Sequence, residues 1–249
     1  MDGINNAVEV INLVKKYGDF NAVNGISFNV KKGEIFAFLG PNGAGKTTTV
    51  KVLTGLLKPS AGSAKIFGMN VLTDMDSIKK RIGLVPDQPY VYPYLTAFEY
   101  MRTVGDIYNV SIEHQKKMIP ELLEMFEIDG RAGEIIDSFS HGMKQKLVIS
   151  GVLLHKPEIM FLDEPLVGLD PKSARIVKDI FARISKQGVT IFMCTHVLEI
   201  AQKLADRICI VNDGKILALD TFENLQKKDS RGADLESIYL RLTETAASS

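Results

Sequence analysis

The stretch IFAFLGPNGAGKTT, residues 35–48, decides the fold. Ile35–Leu39 is a short, almost wholly apolar run, as expected of a strand buried on both faces. Gly40, Gly45, Lys46 and Thr47 then match G-x-x-x-x-G-K-[ST], and Thr48–Leu57 has helical spacing. Strand, glycine loop, helix is the context that a phosphate-binding loop needs. Glycines let backbone N–H groups turn inward around an anion without a Cβ clash. The helix points its positive N-terminal end at the same anion. Pro41, Asn42, Gly43, Ala44 and Thr48 fill out the loop. In this motif Lys46 reaches β and γ phosphates, and the Thr47 hydroxyl ligates Mg²⁺.

Far downstream, the apolar run Ile159–Leu162 ends in Asp163-Glu164. A buried strand presents its last residue at the carboxyl edge of the sheet, where ligands bind in open α/β folds. Asp163 can hold the Mg²⁺ shell, through water. Glu164 can orient or deprotonate an attacking water. Alone, the pair reads as a solvated acidic turn. Together with the glycine loop it reads as the second half of a P-loop NTPase site.

The remaining chain fits around these two segments. Val8–Val14 and Ile26–Val30 alternate apolar and polar residues, which predicts strands, and Lys31-Lys32-Gly33 predicts a turn. From Pro89 to Leu154 the pattern is helical, with amphipathic runs at Thr96–Tyr108, Ile112–Phe126 and Gly142–Leu154. Alternation then resumes: a helix over Lys172–Lys186, a strand over Val189–Cys194 and a helix over Leu198–Leu204. Arg207–Val211 and Lys215–Leu219 flank Asn212-Asp213-Gly214, a hairpin signal. Asp234–Leu242 predicts a last short helix, and TETAASS at 243–249 predicts a frayed end. The expectation is one α/β domain over 1–249. It has a three-layer P-loop NTPase core from 1–88 and 155–249, an N-terminal antiparallel β portion, and an α-helical insert over 89–154.

Composition sets limits. Lys plus Arg and Asp plus Glu are both 30, so no global charge draws the chain to nucleic acid or anionic lipid. No run approaches the roughly 18 to 20 apolar residues that span a bilayer. MDGINNAVEV lacks a basic region followed by an apolar stretch. Cys194 and Cys209 have no metal-ligand spacing and read as buried free thiols.

Phe139-Ser140-His141-Gly142-Met143, followed by Lys144-Gln145-Lys146, resembles the LSGGQ signature of ABC transporter ATPases. Other elements of that family fall in order: Tyr17 as the aromatic on adenine, Gln88 as the Q-loop glutamine, Gly168-Leu169-Asp170 as the D-loop, and His196 as the switch histidine. The resemblance runs from about Val8 to Thr243. AVNGISFNVKKGEIFAFLGPNGAGKTTT, LLKPSAGSAKIFG and DLESIYLRLTE are most similar to export-type systems, whose ATPase and permease are separate chains. It implies an ATPase that binds ATP and Mg²⁺. Thr47, Gln88 and Asp163 would face the metal, and Lys46, Glu164 and His196 would be catalytic. It also implies head-to-tail pairing with an identical or related ATPase, so that Ser140 and Gly142 of one copy meet ATP held by the other. An integral membrane permease would be the partner, with the chain peripheral on the cytoplasmic face and no nucleic acid involved.

Two features depart from the family pattern. Phe139, His141 and Met143 stand where Leu, Gly and Gln are usual, while Ser140 and Gly142 are kept. Leu166-Val167 stands where Thr is common. Blander readings exist for single residues: Tyr17 as turn packing, Gln88 as a solvated loop residue, His196 as a helix-start residue without a ligand. Tyr90, Tyr92 and Tyr94 read as a packing or permease-facing row, because the segment lacks the positive charge of a nucleic-acid platform. The other functional class is an ABC ATPase that acts on ribosomes or DNA. Such chains usually carry two ATPase units or long coiled coils, and neither is seen here. A small-molecule kinase would leave the Ser140 motif unexplained.

Overall fold

The computed structural model describes residues 6–228 and 234–247. In chain order its strands are β1 (Asn6–Tyr17), β2 (Phe20–Lys31), β3 (Ile35–Leu39), β4 (Ala61–Ile66), β5 (Met69–Asn70), β6 (Ile82–Val85), β7 (Ile159–Asp163), β8 (Thr190–Thr195), β9 (Arg207–Asn212) and β10 (Lys215–Asp220). Its α-helices are α1 (Lys46–Leu53), α2 (Met75–Lys79), α3 (Ala97–Ile107), α4 (Ile112–Met125), α5 (His141–Leu154), α6 (Pro171–Lys186), α7 (Leu198–Leu204), α8 (Phe222–Lys228) and α9 (Leu235–Ala247).

Two sheets form. The antiparallel one runs β2-β1-β4-β5, and the other runs β10-β9-β3-β8-β7-β6. In the second sheet β9, β3, β8, β7 and β6 are parallel, and β10 joins β9 through the Asp213-Gly214 turn. Asp213 at φ 46° and Gly214 at φ 73° give that turn the left-handed pair that a tight hairpin requires.

Every residue of β3, β7 and β8 is buried. Phe28, Phe36, Phe38, Phe161 and Phe192 form one aromatic cluster between the sheets, with ring centroids 5.5–5.9 Å apart. On the other face of the parallel sheet, Met160, Leu162, Ile191 and Met193 pack in a second core with Tyr100, Met101, Leu122, Leu147 and Phe181 from α3 to α6. The sheet is therefore sandwiched, and its parallel strands all end on one edge. Cys194 and Cys209 lie fully buried in β8 and β9 as free thiols, and burial pushes both thiols up.

Some boundaries differ from the sequence expectation. The first helix starts at Lys46 and stops at Leu53, because Gly55 at φ 75° breaks the helical run. The fourth and fifth strands, AGSAKI and MN, carry little β-branched or aromatic signal. Partner strands hold them in the sheet. The sixth strand, IGLV, is only four residues long. The helical region also carries a single bridge, Thr96 to Ile135, which spacing did not show. The last helix continues past Leu242 to Ala247, where fraying was expected; Ser248 and Ser249 lie outside the described residues.

Candidate nucleotide site

The loop between β3 and α1 sits at the carboxyl edge of the parallel sheet. Its glycines are required by close approach. A Cβ at Gly40 would fall 2.4 Å from the Val211 carbonyl oxygen, and one at Gly45 would fall 2.3 Å from the Ala22 carbonyl oxygen. Gly45 also takes φ 96° as it turns the chain into α1. Pro41, Asn42, Gly43, Gly45, Lys46, Thr47 and Thr48 line one cleft, while Ala44 is buried behind it. Tyr17, Phe20, Ala22, Asp87, Asp163 and Glu164 complete the lining.

The charged groups are coupled. Lys46 Nζ donates to the carbonyls of Gly40 at 2.8 Å and Pro41 at 3.1 Å, and lies 3.4 Å from Glu164 Oε1. The Thr47 hydroxyl donates to Asp163 Oδ2 at 2.7 Å. Asp163 is 3% exposed, and its Oδ1 has no hydrogen-bond partner. Burial raises its pKa; the Thr47 bond works against this, and the charges of Asp87 and Glu164 add to it. A buried, half-satisfied carboxylate beside a hydroxyl and a phosphate loop suits Mg²⁺, which takes one or two carboxylates together with phosphate oxygens. Among the described residues, no three His, Cys, Asp or Glu side chains gather tightly enough to hold a metal alone.

Glu164 follows the buried end of β7. It holds φ 49°, a left-handed conformation that costs a non-glycine residue of order 1 kcal/mol. Its N–H donates to the Cys194 carbonyl at 3.0 Å, which ties it to β8. His196, just past β8, brings Nδ1 to 2.9 Å from Glu164 Oε1 and its backbone N–H to 3.4 Å from Oε2. One carboxylate oxygen thus faces both the imidazole and the lysine.

The signature residues stand apart from this cleft. Ser140 caps α5, its hydroxyl accepting the Met143 N–H at 3.3 Å, and it is exposed. Gly142 packs on Leu169, which a Cβ would meet at 3.3 Å. The His141 ring lies over Gly168, where a Cβ would come within 2.9 Å of Nδ1. The start of α5 is therefore seated on the Gly168-Leu169 turn of the same chain. Asp170 caps α6, accepting the Ser173 N–H at 3.0 Å.

The ABC transporter family model matches residues 23–167. The chain belongs to the ABC transporter ATP-binding family. The linearmycin resistance ATP-binding protein LnrL of Bacillus subtilis (strain 168) is 38% identical over 214 residues, 86% of this chain and 69% of the relative. Nod factor export ATP-binding protein I of Burkholderia orbicola (strain AU 1054) is 34% identical over 232 residues, 93% and 76% of the two chains. Among solved structures, a dimeric ATP-binding cassette in a post-hydrolysis state, bound to ADP and Pi, superposes with a TM-score of 0.79 at 27% identity. That match covers 86% of this chain and 98% of that one.

Within this ABC cassette, three cleft-lining residues, Phe20, Ala22 and Asp87, escaped sequence reasoning. Phe20 is 63% exposed and faces the cleft beside Tyr17. Its only signal was its place across the turn from Tyr17. Asp87 lines the cleft, where Gln88 was expected; both are exposed, and Gln88 is outside the lining. After β6 the chain passes through Pro86, and it is residue 87 that turns toward the cleft. Asp87 Oδ1 also accepts the Gln88 N–H at 2.8 Å.

Proposed function

We propose that the chain hydrolyses ATP as one of two paired cassettes that power a separate membrane permease, in the export direction. The supporting observation is the division of the site. The phosphate loop, Asp163 and Glu164 line one cleft, with His196 in contact with Glu164, while Ser140 stands exposed on a helix start outside it. An exposed serine beside a helix N-terminus is half of an anion site that needs a second molecule to complete it. In this reading Ser140 and Gly142 of one copy close over ATP held by the other copy, identical or related. The dimeric relative and the relatives named for resistance and export support pairing and direction.

Each residue has a role in that arrangement. Tyr17 and Phe20 stack on the adenine. Lys46 and the loop amides neutralise the phosphates, and Thr47 and Asp163 would hold Mg²⁺, which would supply further charge neutralisation. Glu164 orients the attacking water and takes its proton, and His196 fixes the Glu164 carboxylate. Residues 1–88 and 155–249 form the nucleotide-binding core in this scheme, and 89–154 the helical part that carries the signature. Among the described residues, no helix is long and apolar enough to cross a membrane, so the permease supplies attachment to the cytoplasmic face. The relatives favour this reading over an ABC ATPase of ribosomes or DNA.

The test mixes two inactive variants. Ser140→Arg and Lys46→Ala are each expected to lose hydrolysis by at least a hundredfold. Mixed one to one, they regain one competent composite site in each mixed dimer, with phosphate release rising well above either alone. Full activity of Ser140→Arg by itself removes the paired site.

A further inference from the structure

We infer that Arg131 is a positioning residue for Ser140: it grips the chain on both sides of that serine and fixes the direction in which the hydroxyl is offered to a second copy. The inference rests on the paired-site reading above. Arg131 ends a short 3-10 turn at Asp129–Arg131, and the residues after it are strapped to α3. The Ala132 carbonyl accepts the Phe98 N–H at 2.9 Å, and the Glu134 carbonyl accepts the Ala97 N–H at 3.3 Å. Glu134 Oε2 in turn accepts from Arg131 Nε at 2.8 Å and from Arg131 Nη2. Two bonded nitrogens set the plane of the guanidinium. Its face lies over the Phe139 ring, 5.6 Å from the centroid, and its Nη1 reaches Met143 Sδ at 3.8 Å. Phe139 immediately precedes Ser140, and Met143 is the residue whose N–H the Ser140 hydroxyl caps.

The exposure of the cluster argues for a local role. Arg131 and Glu134 are 44% and 46% exposed, and ion pairs so open contribute little to the stability of a fold. What the guanidinium adds is direction: it favours the face of an aromatic ring and the polarisable sulfur of a thioether. Both contacts fall on side chains in which this signature departs from the family pattern. A leucine at 139 has no ring face, and a glutamine at 143 has no thioether, so the grip is tied to the Phe139 and Met143 pair of this chain. Ser140 itself is exposed and reaches no residue of its own nucleotide cleft. Its aim therefore matters only to ATP held by the other copy.

The test measures nucleotide binding and phosphate release by Arg131→Ala. Binding of ATP to the cleft is expected to stay within about twofold of wild type, while hydrolysis falls roughly tenfold or more, since small misplacements of a reacting group are costly. Mixed one to one with Lys46→Ala, the variant is expected to recover. One site of the mixed dimer then joins an intact cleft to the intact Ser140 of the Lys46→Ala copy. In a Phe139→Leu, Met143→Gln background, which removes both contacts, Arg131→Ala is expected to cause no further loss. Wild-type hydrolysis by Arg131→Ala, an equal loss in that background, or a mixture that stays inactive while Ser140→Arg with Lys46→Ala recovers overturns the inference. So does weakened ATP binding by Arg131→Ala, which would place the residue in support of its own cleft. Failure of the Ser140→Arg and Lys46→Ala mixture itself overturns the paired-site reading, and the inference with it.

Discussion

At the scale of single residues, the site is organised around Glu164. Its left-handed backbone is held by β8 through the Cys194 carbonyl, and its Oε1 is shared by His196 and Lys46. Changing Glu164 to Gln keeps the shape but removes the charge paired with Lys46 and the proposed proton acceptor. Hydrolysis by Glu164→Gln is expected to fall by about 10² to 10⁴, with ATP affinity within a few-fold of wild type. Phosphate-release kinetics beside equilibrium nucleotide binding checks this, and near-normal turnover would exclude Glu164 as the base. Most of this constellation was readable because the loop and the acidic strand end demand fixed residue types at fixed spacings. Asp87 and Phe20 were not, since which residue of an irregular loop turns inward depends on backbone dihedrals that carry no periodic signal.

Legibility at the scale of elements followed burial. The strands β3, β7 and β8 were plain because they are buried on both faces and must be apolar throughout. AGSAKI reads as a loop by composition and becomes a strand only because β1 pairs along it, Val8 opposite Ile66 and Val10 opposite Ala64. The mouth of β3 shows a cost of such packing. Glu34 is buried, accepts the Lys31 N–H at 2.6 Å and meets Arg207 Nη1 at 3.3 Å, while Arg207 also donates to the Asn29 carbonyl. Burial raises the Glu34 pKa despite these partners. An acid with a raised folded-state pKa loses stability as pH climbs from its unfolded value through the folded one. Removing the guanidinium as Arg207→Leu leaves a buried carboxylate with one N–H, costing about 3 kcal/mol at neutral pH. It also raises the folded pKa further, so the loss should shrink as pH falls toward 5. Urea unfolding of both proteins at pH 7.5 and 5 measures this. A loss that grows on acidification would show that the pair does not set the stability of this corner.

At the scale of the whole molecule, Tyr90-Val-Tyr-Pro-Tyr-Leu95 connects the two halves of the machinery. The segment leaves the nucleotide cleft at Asp87, and backbone bonds then stitch it to the approach of the signature. Ile136 donates to the Leu95 carbonyl at 2.9 Å, and Asp137 donates to the Pro93 carbonyl at 3.0 Å, only three residues before Ser140. In the proposed pair, a push on this segment would reach the cleft of one copy and the serine that it offers to the other. Its outer face is Tyr90, Tyr92 and Tyr94, which are 79%, 62% and 88% exposed. Tyrosines left so open beside a mechanical link suit docking, where aromatic anchors dominate binding. Leu95, at the end of the segment, packs instead against the helical core. A charge there would damage the fold, so Leu95 is not a clean probe. The double variant Tyr92→Asp, Tyr94→Asp touches only the open face. It is expected to keep nucleotide binding and to hold basal ATP hydrolysis within about twofold, while permease-coupled transport in vesicles falls roughly tenfold or more. Transport and hydrolysis falling in parallel would mean that the segment serves the ATP site alone. Unchanged transport would place the permease on another face of the molecule.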